Sequence, residues 1–151
     1  MSLWNNLKQS VSQLSGSLQT SVAKFRNQDF AHASMAMCAL IAAADGNIDP
    51  QERSRTASLI MSNDALRVFP ADELRQKFDL YCDKLVKDYD FGRIEAIQAV
   101  SKLRSKPDQA RAVLQVGIVI GGADGHFDER ERAVVREVCH AVGINPAEFS
   151  L

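Results

Sequence analysis

The stretch "ADGNIDPQER", residues 44–53, returns almost unchanged as "ADGHFDERER" at residues 123–132. Six of the ten positions are identical, and the second copy begins 79 residues after the first, about half of the 151-residue chain. Ile48 and Phe127 add a shared apolar position. Solenoid repeats recur every 20–50 residues or so, so this longer spacing instead predicts two related halves with an internal pseudo-twofold.

The composition indicates one soluble globular domain spanning residues 1–151. Hydrophobic residues make up 46% and charged residues 25% of the chain, which are ordinary values for such a domain. The formal net charge of -1 lacks the basic excess typical of nucleic-acid-binding proteins, so no nucleic-acid partner is expected. The start of the chain lacks a signal-peptide pattern, and we expect a cytoplasmic protein. Its three cysteines form no C-x-x-C pair, which favours buried thiols in a reducing compartment: Cys38, Cys82 and Cys139.

Hydrophobic periodicity predicts an all-α fold, a compact bundle of about seven helices. No segment shows the sustained period-2 alternation of a strand. Pro70 and Pro107 are expected at first helical positions, Gly143 after the last long helix, and Asn145 as the cap of a short closing turn. After an N-terminal helix, the predicted helices cover residues 29–44, 50–62, 70–89, 90–105, 107–122 and 129–142.

Residues 1–26 predict an N-terminal amphipathic helix. Apolar side chains, with Trp4 among them, recur every three or four residues from 3 to 25. Its charged residues are all basic: Lys8, Lys24 and Arg26. Packing on its own domain is the ordinary use of such a helix. A membrane surface or a partner protein is the alternative.

Each copy of the repeated phrase has the pattern of a helix start. Asp49 and Asp128 can accept a backbone N–H as N-caps, and Glu52 and Glu131 lie three residues later, as a capping box requires. The glycine of each Asp-Gly pair is expected to end the preceding helix. This structural interpretation accounts for the glycine, the second aspartate and the glutamate.

It leaves the first aspartate of each copy unexplained. An acid at the C-terminal end of a helix faces the negative end of the helix dipole and costs about 0.3–1 kcal/mol. A bound cation or a basic partner would offset that cost. Oxygen ligands favour calcium, magnesium or manganese over zinc, while an imidazole favours a transition metal in the second copy. The candidate residues are Asp45, Asn47, Asp49 and Glu52 in the first copy and Asp124, His126, Asp128 and Glu131 in the second.

The phrase is not an EF-hand loop. Counting from Asp45, the glycine required at the sixth position is Pro50 in the first copy and Glu129 in the second. The acid required at the twelfth position is Thr56 or Val135. Any cation site must therefore have a different geometry.

The sequence predicts no catalytic residue. It contains no nucleophile elbow, P-loop or dinucleotide fingerprint. Cys139 and His140 are adjacent, but neighbouring residues on a helix do not face each other. We therefore expect a protein that is not an enzyme.

Three stretches of the chain resemble the TerB family of tellurite-resistance proteins. They are "MAMCALIAAADG" at 35–46, "SLIMSNDALRVF" at 58–69 and the whole segment 123–151, so the resemblance covers essentially the whole chain. It implies a helical fold with two similar halves and a role in bacterial tellurite resistance and stress response. It also implies that the acidic loop positions form a metal or partner surface. His126 stands where the family pattern leads us to expect a small polar residue.

The resemblance further implies partners at the membrane. Family members are thought to act beside the integral membrane protein TerC and other Ter proteins at the inner face of the membrane. We therefore expect a non-enzymatic interaction module whose acidic loops bind a divalent cation, a membrane-associated partner, or both. The basic N-terminal helix would favour an anionic inner-leaflet lipid surface. The alternative function is a metal-dependent enzyme acting on a tellurium oxyanion or a small substrate.

Overall fold

A computed structural model of the protein describes residues 18, 21–123, 125 and 127–151. It confirms the all-α class, and the described residues contain no strand. Residues 21–24 are helical, and six longer α-helices follow. They are α1 (Gln28–Ala42), α2 (Pro50–Ser62), α3 (Ala71–Lys87), α4 (Tyr89–Ser101), α5 (Pro107–Gly121) and α6 (Glu129–Val142). Two 3₁₀ helices, Asp64–Val68 and Pro146–Phe149, complete the described secondary structure.

The centre of the fold is the contact between α1 and α5. Eleven side chains of α1 and nine residues of α5 are buried. The helices approach closely because α5 carries glycine where it meets α1: a Cβ at Gly117 would lie 2.6 Å from Met37 Cγ. Helices α3 and α4 cover the remaining sides of α1. The near-continuous apolar sequence of α1 reflects this enclosure.

The second helix of each half packs across the centre onto the first helix of the other half. Helix α2 contacts α5 as well as α1, and α6 contacts α1 as well as α5. Each helix–loop–helix unit therefore closes over the opposite one. This crosswise packing brings the two repeated loops to the same region, while the pseudo-twofold itself stays a prediction.

Most predicted helix ends are confirmed. Pro107 begins α5, Gly143 follows α6 in the left-handed region with φ of 74°, and the Asn145 side chain accepts from the Ala147 backbone N–H. The prediction for Pro70 was wrong, because this residue precedes α3 as its cap. The prediction for residues 90–105 was too long, because α4 ends at Ser101 and turns follow it, with Leu103 in the core.

Two apolar residues of the N-terminal segment, Leu18 and Val22, pack in the core. Leu18 and Val22 are buried, whereas Lys24 and Arg26 are exposed. The ring of Phe30 lies 5.7 Å from that of Phe25 and stacks on Phe69. Trp4 and Lys8 lie outside the described residues. Within the described part of the chain, no helix combines the length and apolar character needed to cross a membrane.

Candidate functional site: an acidic cleft between the repeated loops

The described parts of the two repeated loops share a glycine turn. Gly46 and Gly125 have φ of 90° and 86°, in the region that favours glycine. The Gly46 N–H donates to the Ala43 carbonyl at 2.9 Å, and the Gly125 N–H donates to the Gly122 carbonyl at 3.1 Å. The glycines therefore close a turn beyond the helix ends. The prediction that they end the helices was wrong.

The predicted N-caps are present in both loops. Asp49 Oδ1 accepts from the Glu52 N–H at 2.8 Å, and Asp128 Oδ1 accepts from the Glu131 N–H at 2.9 Å. Only the second loop closes the capping box, because Glu131 Oε1 accepts from the Asp128 N–H at 3.1 Å. The prediction of a box at Glu52 was wrong, since the first loop has the Asp49 cap but no return bond from the Glu52 carboxyl to the Asp49 N–H.

The first aspartate of the first loop has a local role that the sequence did not reveal. Asp45 is exposed, and its Oδ1 accepts from the Asn47 backbone N–H at 3.1 Å. Such an Asx turn orders the loop. Helix α1 ends three residues before Asp45, so the helix dipole acts on this carboxylate less strongly than expected.

Four of the predicted acidic residues line one cleft, whose volume is about 310 Å³. Two come from each half: Asp45, Glu52, Asp128 and Glu131. Asn47 and Asp49 are exposed and are not among the lining residues. Asp124 and His126 lie outside the described residues. The structure thus brings part of each predicted acidic set into a single site.

The floor of the cleft is formed by apolar and small residues of α1, α2 and α5. Much of the lining consists of pairs separated by the same 79 residues as the repeated phrase. These pairs are Cys38 and Gly117, Ile41 and Ile120, Ala42 and Gly121, and Glu52 and Glu131. Equivalent positions of the two halves therefore face each other across one cavity. The periodicity of either half alone could not show this arrangement.

The cleft is an unfavourable place for negative charge. Partial burial raises the pKa of Glu52, and the carboxylates of Asp49 and Asp45 raise it further. Arg55 also lines the cleft and acts in the opposite direction on the pKa of Glu52. One arginine facing four carboxylates leaves the described lining with an excess of negative charge.

The arginine that follows the first cleft glutamate has a structural role that sequence reasoning missed. Arg53 Nη2 donates to Asp79 Oδ1 at 3.1 Å and to Asp83 Oδ1 at 2.7 Å, which ties α2 to α3. Its counterpart Arg132 is 9% exposed, and its Nε has no hydrogen-bond partner among the residues that the structure describes. Both arginines belong to the six identical positions of the repeat, and that identity was the available signal.

The chain matches a model of the family described as "Tellurite resistance protein TerB" over residues 31–151. A curated relative from Alcaligenes sp, "Tellurium resistance protein TerB", is 28% identical over 122 residues. That alignment covers 78% of this chain and 97% of the relative. The chain belongs to the TerB family. No solved structure matches it.

The TerB match contains every residue that lines the cleft, because the lining extends from Cys38 to Glu131. Residues 1–30 lie outside the match, and they include the basic positions of the N-terminal segment. The cleft is thus part of the TerB region of the chain.

The thiols of this TerB-family protein are buried, as predicted. Burial raises the pKa of Cys38, which is 1% exposed at the floor of the cleft. Burial also raises the pKa of Cys82 to about 12 and that of Cys139 to about 11. These thiols are protonated at neutral pH, whereas the thiolate is the nucleophile and the metal ligand.

The cleft acids are spread around the cavity rather than gathered at one point. Across residues 18, 21–123, 125 and 127–151, no three His, Cys, Asp or Glu side chains are grouped to hold a metal ion. His32 lies elsewhere, with Nδ1 2.9 Å from the Tyr81 hydroxyl. The described acids therefore form a wide rim of negative charge.

Proposed function

We propose that this protein is a non-enzymatic interaction module of the tellurite-resistance system, and that the acidic cleft receives a positively charged group of a partner. One observation carries the proposal: acidic residues of both repeated loops line a single cleft with an apolar floor. The TerB family supplies the biological setting. The chemistry of the cleft supplies the class of ligand.

A lysine or arginine side chain fits this cleft. Its aliphatic stem can lie on the apolar floor while its charged head meets the carboxylates of the rim. Charge-assisted hydrogen bonds to carboxylates are among the stronger hydrogen bonds in proteins. A positive charge would also offset the burial and the carboxylate repulsion that raise the pKa of Glu52.

The partner we propose is a membrane protein of the TerC type, together with other Ter proteins. Cytoplasmic loops of integral membrane proteins carry an excess of lysine and arginine. Such loops complement an acidic cleft, and opposite charges would guide association and orientation. Lys24 and Arg26 are exposed and would add a weak attraction to an anionic lipid surface, together with Trp4 and Lys8.

A divalent cation is the second candidate ligand. Calcium, magnesium or manganese would bind carboxylate oxygens of Asp45, Glu52, Asp128 and Glu131, either alone or as a bridge to the partner. Zinc suits this oxygen-rich set less well. The cationic side chain is preferred because it uses the apolar floor as well as the rim.

The enzyme alternative is less well supported. Reduction of a tellurium oxyanion by this chain would require accessible thiolates or a redox cofactor, and the three thiols are buried with raised pKa. Four carboxylates at the rim would also repel an oxyanion. Assay of purified protein with tellurite and a thiol donor tests this alternative, and turnover lost in Cys38→Ala would support it.

The central experiment is a titration of the protein with a lysine-rich peptide, in which binding is measured by calorimetry and by amide NMR shifts. We expect shifts centred on the cleft and binding that weakens with salt. The variant Glu52→Gln/Glu131→Gln should weaken binding at least about tenfold. Calcium, magnesium, manganese and zinc are titrated in parallel to test the second candidate.

A matched control removes two carboxylates elsewhere. Asp64→Asn/Asp108→Asn changes the net charge equally, but each residue pairs with a nearby arginine outside the cleft. We expect less than about a twofold effect on peptide binding. Equal losses in the two double variants would refute a specific cleft and leave only a general charge effect. Sedimentation with anionic liposomes at low and high salt tests the lipid contribution separately.

A further inference from the structure

Helix α2, one wall of the acidic cleft, is weakly anchored in the hydrophobic core. Only two of its residues, Ala57 and Ile60, are buried. Helix α6, the corresponding wall of the other half, buries five residues along its length. Apolar burial contributes most of the free energy that holds a helix on a domain, so α2 is the less firmly held wall.

Cavities lie on two sides of α2. The acidic cleft contacts Glu52, Arg55, Thr56 and Leu59. A second cavity of about 380 Å³ contacts Ile60 and Met61 near the end of the helix, together with the 3₁₀ helix and the start of α3. Open space beside these two parts of the helix leaves room for α2 to shift.

A group of ion pairs joins the exposed first turns of α2 to α3. Arg53 Nη2 contacts both Asp79 and Asp83, and Arg53 Nε is 3.4 Å from Asp79 Oδ1. Arg75 donates to the other oxygen of Asp79 at 3.1 Å, so the acceptor is itself held in place. Arg53 directly follows Glu52, so these ion pairs join α3 to the turn of α2 that carries this cleft carboxylate.

We propose that α2 is a movable wall of the acidic cleft and that Arg53 is the positioning residue whose ion pairs with Asp79 and Asp83 set how far the cleft is open. This deepens the proposed function, on which it rests for the role of the cleft. Helix α6 is the fixed wall. Closing of α2 brings Glu52 toward Glu131 around a bound cationic group, and opening admits it.

The unliganded protein gives the first test. Amide hydrogen exchange of the full chain should be at least about tenfold faster in residues 50–62 than in residues 129–142. Raising the salt concentration should speed exchange of the first segment selectively, because exposed ion pairs are screened. Equal protection of both helices at low salt would overturn the proposal.

Arginine variants give the second test. Arg53→Met keeps the length of the side chain and removes its charge, and exchange in 50–62 should rise about three- to tenfold. Arg75→Met removes an ion pair of Asp79 within α3 and should change exchange in α2 by less than about twofold. Arg132→Met, at the corresponding position of α6, should not speed exchange in α2. Faster exchange of α2 in all three variants, or in none, would contradict a positioning role for Arg53.

Binding of the lysine-rich peptide separates this inference from the proposed function. If the native protein binds the peptide, Arg53→Met should change its affinity at least about threefold, and Arg53→Lys should lie nearer to the native value. If native α2 exchanges quickly but the peptide does not bind, the proposed function fails while the exchange comparison supports the movable wall. If the peptide binds, and Arg53→Met changes neither the affinity for the peptide nor the amide exchange of α2, the inference fails and the proposed function stands.

Discussion

The two halves of this TerB-family protein share a loop and differ in how they hold the helix after it. Both loops close with a glycine in the left-handed region and begin the next helix with an aspartate cap. Helix α6 is then held by four buried apolar side chains, whereas α2 has two buried side chains, the partly buried Leu59 and Met61, and the ion pairs of Arg53. The difference shows that the same cap and glycine turn can be supported by different tertiary contacts.

The two halves also differ in the hydrogen bonding of the cleft glutamate. The Glu131 carboxylate accepts from the Asp128 N–H, whereas Glu52 makes no such bond, and partial burial together with the Asp49 carboxylate raises its pKa. The first glutamate is therefore in an environment that disfavours its charge. Such a group is the one that gains most from a cationic ligand, so the first half is expected to respond more strongly to binding.

The largest difference in stability between the halves should appear when equivalent side chains of α6 and α2 are shortened to alanine. Val135 in α6 is fully buried, and its counterpart Thr56 in α2 is half-buried at the cleft. Val135→Ala should lower the free energy of unfolding by about 2–3 kcal/mol, from lost burial and a residual cavity. Thr56→Ala should cost less than about 1 kcal/mol. Urea unfolding measures both, and equal costs would mean that α2 is as firmly packed as α6.

Substitutions in the two central helices, at the point where they touch, should differ in their cost to stability. A Cβ at Gly117 would lie 2.6 Å from Met37 Cγ and 2.9 Å from Ile41 Cδ1. Gly117→Ala should therefore cost about 2 kcal/mol through overpacking. Its counterpart Cys38 already carries a side chain, and Cys38→Ala should cost about 1 kcal/mol. Thermal unfolding of both variants checks this order, which a stabilising Gly117→Ala would reverse.

The caps should differ because only one belongs to a complete box. Asp128→Ala removes the bond to the Glu131 N–H and breaks the reciprocal pair, for an expected loss of about 1–2 kcal/mol. Asp49→Ala also loses a cap, but it relieves the repulsion on Glu52, so we expect a loss below about 1 kcal/mol. A larger loss for Asp49→Ala in chemical unfolding would show that the first cap is the more important one.

The smallest effect should be a pH-dependent gain in stability in the variant Glu52→Gln. Since the folded state raises the pKa of this carboxyl, it binds the proton more tightly than the unfolded state does. Stability contributed by protonated Glu52 is lost as pH rises through the raised pKa. Glu52→Gln should therefore stabilise the protein at pH 7 by about 0.2–0.5 kcal/mol, and the gain should disappear below about pH 4.

Glu129 provides the control for that measurement. It lies in the first turn of α6 and pairs with Arg136, so Glu129→Gln should give a small loss rather than a gain at pH 7. Melting temperatures of both variants between pH 3 and 8 test the opposite signs. A loss of stability in Glu52→Gln at neutral pH would mean that the carboxylate has a favourable partner in the folded protein.

Local structure was determined by the sequence itself. The positions of Asp49, Asp128, Pro107, Gly143 and Asn145 were enough to predict the helix ends at which they act, because caps and glycine turns depend on residues only a few positions apart. The spacing of apolar residues predicted the all-α class for the same reason. The repeated phrase also led to the TerB family and to the acidic residues of the candidate site.

Only the tertiary structure decided which of those acids share a site. It placed Glu52 and Glu131 on one cleft, left Asn47 and Asp49 outside its lining, and gave Arg53 a role in holding α2. These facts depend on how α1 crosses α5 and on which helix covers which, contacts between residues far apart in the chain. Sequence periodicity gives the buried face of each helix, but it does not give the helix that the face will meet.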